Sequence, residues 1–551
     1  ELLAGGEPTG APNPARVRVV SHRDTEAVVE CVGTLGPASV RALHRIEYDG
    51  MCLTQLQVSG PPGAALDGLS LLIPMDPAQS TLYHHFCNGG TVRGSENVGR
   101  GRGLQGKAEW EWLHTLWLGN EDRGLTWFAE DPEGWRLEAN DKAVALTTDE
   151  AQTRLSLRFC SGRFSLTQPL ELTFGLIATP VKELPANARF IRLRRDFSYA
   201  WCGPGSFTQS NNYITHVLPG WRELHAREAQ RYGFFVPYQR PDWINLREPE
   251  AAYYREEWQT VPPYVSGSDD GSDHRHLSVC LGSEWADFML YYAVKAYVEN
   301  EMTGFYFDGG LPTSCKNTVH GHGYLMPSGK IGPTYPMLAF RDFYKRLATE
   351  LHKQGRPYLI WVHASNCLEM PTLSFVNMVW DGEQFSVAAS KARDYTRLMT
   401  LSYFRAEFLG QQFGIPVQWL VEFFDRPGEP DIGEKEADTM LALALVHGVA
   451  DRTLASNLAG TDAYVLRVLE AQDAFGIREP DCRFLPYWSN SRQVALEPAG
   501  DFSACSLWLR PGKALVILAN CSEKEQQMTA RLNLAELGLA GPLTGADLMT
   551  G

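Results

Sequence analysis

The chain has 551 residues, a net charge of −15, 44% hydrophobic and 21% charged residues. This is the balance of an ordinary globular protein, long enough for three or four domains. The acidic excess, with no basic stripe, excludes nucleic acid as the expected partner. No apolar run approaches the roughly 18 residues that a membrane span needs, and the apolar stretch 439–449 reads as a buried helix. The start at Glu1 reads as a trimmed mature chain.

Residues 1–200 read as β-structure. Alternating runs at 17–21, 48–58, 124–128 and 153–164 are separated by turn clusters such as Gly60-Pro-Pro-Gly and Asp131-Pro-Glu-Gly, a pattern that predicts a β-sandwich. Trp112, Trp117, Trp127 and Trp135 are expected in its core, with the 120–123 turn expected to reach the barrel mouth. From 205 to 478 the rhythm becomes βα. Apolar runs at 213–217, 233–238, 276–280, 303–308, 358–363, 375–381, 416–422 and 449–453 alternate with helices expected at 284–300, 335–354, 390–408 and 433–447. Eight such units predict a (β/α)8 TIM barrel. The tail, 480–551, returns to short alternating runs and predicts a small antiparallel β domain.

Barrel enzymes carry their chemistry at the C-terminal strand ends. Asp308 closes the fourth run, His363 the fifth, Asp381 and Glu383 the sixth, Glu422 and Asp425 the seventh, Asp451 and Arg452 the eighth. A single carboxylate there serves as a helix cap or ion-pair partner. A ring of them implies a polar cleft, since buried charges are costly unless used. Glycosidic cleavage needs one carboxylic acid for the leaving oxygen and one group for the oxocarbenium-like carbon. If the sixth strand persists, Asp381 and Glu383 share a face. Aromatic residues are 11% of the chain and suit both sugar stacking and large cores. Tyr306, Trp361, Trp380 and Trp419, with His363 and Glu422, are expected to contact a carbohydrate substrate.

His320 and His322, in the polar loop after the fourth run, are also expected to contact substrate. No complete ligand set is visible around them, so neither metal nor cofactor is expected. None of the 11 cysteines forms a CxxC pair, and most are expected to be buried free thiols. Gly99-Arg-Gly-Arg-Gly-Leu lacks the Lys-Ser/Thr ending of a P-loop, and Gly203-Pro-Gly-Ser-Phe is no nucleophile elbow.

Trp117-Leu-Gly-Asn-Glu-Asp-Arg-Gly-Leu-Thr-Trp-Phe-Ala-Glu, Gly134-Trp, Ala178-Thr-Pro-Val-Lys and Gly304-Phe-Tyr-Phe-Asp together resemble glycoside hydrolase family 123, across most of the chain. The resemblance implies a sandwich plus TIM barrel and a retaining, substrate-assisted β-N-acetylgalactosaminidase. In that chemistry the 2-acetamido oxygen attacks the anomeric carbon, an Asp orients the acetamido group, and the adjacent Glu is the acid. This chain departs at the pair itself, which reads Asp308-Gly309. Asp308 carries over as the orienting residue, with Tyr306 helping to hold the amide, while the acid falls to Glu383 or Asp381. Two alternatives stand beside this reading. One is a retaining glycosidase on non-acetamido sugars, with Asp308 as nucleophile and Asp381 as acid/base. The other is a carbohydrate-binding protein that kept the barrel. A secreted, periplasmic or cell-surface location is the expectation that goes with a glycan substrate.

Overall fold

The computed structural model describes residues 2–3, 13–85, 102–103, 106–186, 188, 200–202, 207–208, 212–267, 275–365, 367–423, 430–451, 462–500 and 502–548. The expected sites at Asp425 and Arg452, the side chain of Asp451 and most of the 99–104 glycine run lie outside them.

The N-terminal region forms a nine-stranded and a five-stranded antiparallel sheet. Alternation builds both, as in Thr153–Cys160, whose inward residues Leu155, Leu157 and Phe159 are fully buried. Their shared core holds Leu116, Trp127, Val144, Leu155, Phe159 and Phe174. Of the four tryptophans expected there, Trp127 and Trp135 are in this core and Trp112 packs at its edge. Trp117 instead lies on the other face of the large sheet, in the core shared with the central region. Gly119 and Gly124 make room for its ring: a Cβ on either would sit 2.5 Å from it.

The central region holds eight short parallel strands: β1 (Ala200–Cys202), β2 (Phe234–Val236), β3 (Tyr238–Gln239), β4 (Gly304–Phe307), β5 (Leu359–His363), β6 (Met378–Asp381), β7 (Val417–Trp419) and β8 (Ala450–Asp451). β1 pairs with β2, and β3 to β8 form one parallel sheet in sequence order. β2 and β3 are one run interrupted at Pro237, whose carbonyl accepts from Tyr306 N–H at 2.9 Å. One face of the sheet packs against helices Trp221–Tyr232, Trp285–Glu299, Met337–His352, Leu401–Phe408 and Glu434–His447. The other face gathers Val236, Tyr306, Leu359, Trp361, Met378, Trp380 and Leu420 into a separate apolar cluster, packed as a barrel interior is.

Among the described residues the parallel sheet does not close into a ring; its outermost strands, 200–202 and 450–451, border residues outside the description. Two expected strands are not part of it. Residues 213–217 form turns with one bridge, Thr208 to Val217. His276–Ser278 is the middle of a three-stranded antiparallel sheet with Trp243–Asn245 and Val265–Ser266. The helix expected at 390–408 is broken. Arg393 takes a left-handed φ of 53°, Asp394 caps Thr396, and Thr400 caps a new helix at Tyr403.

The large sheet and the parallel sheet are joined by buried polar ties. Arg341 binds Glu47 at 3.0 Å and Asp49 at 2.8 Å, and His114 meets Glu369 at 2.9 Å. Glu130 accepts from Leu338 N–H at 2.8 Å, at the start of helix Met337–His352. The turn at 120–123 does reach the central region, through Glu121 to Arg405 and Asp122 to Gln411. Both partners precede β7, so this contact lies at the N-terminal strand ends rather than the mouth. The tail forms antiparallel sheets around Leu485, Leu507 and Leu509. The described cysteine side chains are all free thiols.

Candidate active site

Side chains alternate along a strand, and this parity sorts the expected site residues. On β4, Phe305 and Phe307 face the helices, while Tyr306 faces the interior cluster. Asp308 therefore leaves the strand on the interior side. On β5, Leu359 and Trp361 face the interior, so His363 follows them. Asp308 and His363 meet, with Nδ1 of His363 3.0 Å from Oδ1 of Asp308. The other ring nitrogen, Nε2, lies 3.2 Å from Oε2 of Glu383. One imidazole thus bridges two carboxylates. Nδ1 is hydrogen-bonded to Asp308, while the hydrogen bond at Nε2 goes to Ser365 Oγ, with the Glu383 carboxylate beside it. Tyr306 OH, 3.2 Å from Nδ1, and Ser365 Oγ, 2.6 Å from Nε2, flank the ring.

The second oxygen of Asp308 accepts from Tyr238 OH at 2.6 Å and from Arg240 at 3.2 Å. Burial pushes the Asp308 carboxyl up, but His363, Arg240 and Tyr238 outweigh it and hold it well below the usual carboxylate range. Burial and the Asp308 charge push the Tyr238 hydroxyl up, so it remains a proton donor to the carboxylate. Arg240 is itself fixed by Asp242, at 2.8 Å, and lies over the Trp243 ring at 3.9 Å. The side chain of Asp308 retains 25% of its exposure, so this ionised group is open to a ligand.

Gly309 explains the departure from the Asp-Glu pair. Its φ is +61°, and a Cβ there would stand 2.3 Å from a nitrogen of Arg240 and 2.8 Å from Oδ1 of Asp242. A glutamate cannot occupy this position while Arg240 holds Asp308.

Several expected site residues are placed elsewhere. Asp381 has the opposite parity to Trp380 and is fully buried on the helix side, where Gln384 Nε2 donates to it at 2.9 Å. The strand ends there, Gly382 turns the chain, and Asp381 and Glu383 do not share a face. This corrects Asp381 as acid/base. Trp419 is also on the helix side, packed edge-on against Tyr395 and Phe404. Trp361 and Trp380 are interior but buried, ring against ring at 4.4 Å, with the Trp380 N–H donated to Gln418. They form the floor beneath the site and are not stacking surfaces for a sugar. Glu422 follows β7, its backbone N–H and C=O held by the Tyr395 hydroxyl at 2.9 and 2.7 Å. His320 and His322 turn toward two cysteines: Nε2 of His320 is 3.4 Å from Sγ of Cys315, and Nδ1 of His322 is 3.2 Å from Sγ of Cys280. The structure thus places both histidines beside cysteines, and the four donors are a candidate metal-holding set that sequence spacing did not reveal.

Tyr238, Arg240, Asp242 and Trp243, which surround Asp308, are the side chains of this cluster missed at the sequence level. The signal was present, because Tyr238-Gln-Arg-Pro-Asp-Trp closes a strand just as Asp308 does.

No protein-family model matches the chain, so nothing beyond the quoted motifs supports family 123, and no curated protein matches it. The solved structures with some likeness include glycosidases. One is a family 36 α-galactosidase from Geobacillus stearothermophilus in complex with 1-deoxygalactonojirimycin, at 10% identity and TM-score 0.43, covering 94% of this chain and 80% of that one. A second is the galactosidase domain of an α-galactosidase-sucrose kinase, at 11% identity and TM-score 0.42, covering 99% and 83%. A third is a family 31 sulfoquinovosidase from E. rectale with an aza-sugar inhibitor, at 10% identity and TM-score 0.45, covering 96% and 88%. Scores below 0.5 leave the chemistry of this chain to be read from its own side chains.

Proposed function

We propose that the protein is a glycoside hydrolase acting on a sugar without a 2-acetamido group, with Asp308 meeting the anomeric carbon and Glu383 donating the proton to the leaving oxygen. The observation that carries this reading is the Asp308–His363–Glu383 chain at the C-terminal strand ends, with Asp308 held ionised and partly open. A carboxylate far below its usual range is a poor base. It is suited to attack, or to stabilise, a carbon that becomes positively charged. Glu383, carried past the end of β6 by the turn at Gly382, lies on the other side of His363. Substrate-assisted cleavage of N-acetylgalactosamine is disfavoured, because Gly309 has no room for the acid that such chemistry sets beside its Asp.

The test is turnover of paired aryl glycosides, with and without the acetamido group, by the wild type and Asp308→Asn. The proposal expects hydrolysis of hydroxyl-bearing substrates that the variant loses. Sugar binding without turnover across the panel would make the chain a carbohydrate-binding protein instead.

A further inference from the structure

We propose that Cys280, Cys315, His320 and His322 form a closed tetrahedral zinc site that ties the loop after Asp308 to the segment entering helix Trp285–Glu299. One ligand atom from each lies within 4.8 Å of every other. Two edges of this set, Cys280 Sγ to His322 Nδ1 and Cys315 Sγ to His320 Nε2, measure 3.2 and 3.4 Å. A zinc ion with bonds of about 2.3 Å to sulfur and about 2.0–2.1 Å to nitrogen has tetrahedron edges of roughly 3.3–3.8 Å. Two thiolates and two imidazoles are the donor set that zinc prefers.

The surroundings are built as a metal site requires. Nδ1 of His320 is 2.5 Å from the carbonyl oxygen of Glu257, which fixes the proton there and turns the Nε2 lone pair toward the sulfurs. Gly282 N–H donates to Cys280 Sγ and Asn317 N–H to Cys315 Sγ, both at 3.4 Å, so each sulfur has a donor suited to a thiolate. A Cβ at Gly282 would fall 2.1 Å from the His322 ring, so only glycine lets that ring reach Cys280. Asn317 fixes the turn between the ligands, donating to the carbonyls of Glu256 and Gln259 and accepting from Val319 N–H at 3.1 Å.

All four positions are filled by side chains, which leaves none for water or substrate. The role is structural. Binding displaces the two thiol protons to solvent and leaves the metal's oxidation state unchanged. Cys315 lies seven residues beyond Asp308. The same loop is tied back through the mutual Cys315–Thr334 backbone pair and through Thr334 Oγ1 to Asp131 of the sandwich. The staple therefore fixes the segment that leaves the active-site strand.

The test uses the full chain, grown with zinc, desalted and measured for metal by mass spectrometry. About one zinc per chain is expected, falling to near zero in Cys315→Ser and His322→Ala and unchanged in Cys31→Ser, whose thiol lies outside the cluster. Cobalt exchanged into the wild type reports independently of whether those variants fold. Intense visible bands and thiolate-to-cobalt charge transfer mark a tetrahedral thiolate–imidazole site. A folded wild type that takes up neither zinc nor cobalt would overturn the proposal, as would a Cys280–Cys315 disulfide in the native protein.

Discussion

The ends of β4 and β6 look alike in sequence, since each closes on an aromatic residue followed by Asp-Gly, yet they do opposite things. Asp308 leaves β4 on the interior side and enters a cluster with Tyr238, Arg240 and His363. Asp381 closes β6 on the helix side, fully buried beside Gln384. The glycines differ to match. Gly309, at φ +61°, clears Arg240, whereas Gly382, at φ +130°, clears the Trp419 ring and redirects the chain so that Glu383 reaches His363. One residue of parity separates a carboxylate that can meet a ligand from one that cannot. The pair also shows why a strand-end acid is only a candidate until its face is known.

The sharpest way to break this comparison is to neutralise both aspartates. Asp308→Asn should lower kcat/KM by about 10^4-fold with the fold retained, because the charge at the anomeric carbon is lost. Asp381→Asn should leave kcat within about tenfold and lower stability by about 1–3 kcal/mol, as expected for a disturbed buried hydrogen bond. Equal losses of activity in the two would erase the distinction. Glu383→Gln comes next, with a fall of about 10^2- to 10^4-fold on poor leaving groups and much less on dinitrophenyl glycosides, which leave without a proton. A loss independent of the leaving group would remove Glu383 as the acid.

The interface of sandwich and parallel sheet supplies a third contrast, since there burial wins. Burial, with the Asp131 charge, pushes Glu130 from 4.5 up to about 7, against the amides at the start of helix Met337–His352. Because the folded value is the higher one, its contribution is fully present below about 4.5 and is lost as pH rises through about 7. Glu130→Gln should therefore raise stability at pH 8, relative to pH 5, by up to about 3 kcal/mol, read from urea unfolding at the two pH values. A pH-independent change would contradict the raised value. The smallest effect is expected at Gly309. Gly309→Ala should cost about 1–2 kcal/mol of stability for its left-handed backbone and raise KM by displacing Arg240, which melting and initial rates would show. A silent Gly309→Ala would mean that Arg240 can shift freely.

Much of this arrangement was legible in the sequence because it is local. The change from alternating to βα rhythm near residue 205, the strands at 303–308 and 358–363, and the residues Asp308 and His363 at their ends all follow from periodicity over a few residues. The parity of Asp381 was equally readable, since Trp380 precedes it directly, but expecting the strand to continue to Glu383 concealed it. Three-residue strands carry too little pattern to separate parallel from antiparallel pairing, so the antiparallel His276–Ser278 reads in sequence as a barrel strand. Asp394 and Thr400 were visible capping residues inside the helix expected at 390–408. The cluster of Cys280 with His322, 42 positions apart, and the reach of Arg240 to Asp308, 68 positions away, depend on tertiary placement that no local spacing encodes.

The central claim is that Asp308 meets the anomeric carbon. Incubation with a 2-deoxy-2-fluoro glycosyl fluoride of an accepted sugar, followed by peptide mass spectrometry, tests it most directly. The account predicts a covalent glycosyl adduct on Asp308 and retention of configuration in the product. A stable adduct on any other residue would contradict it.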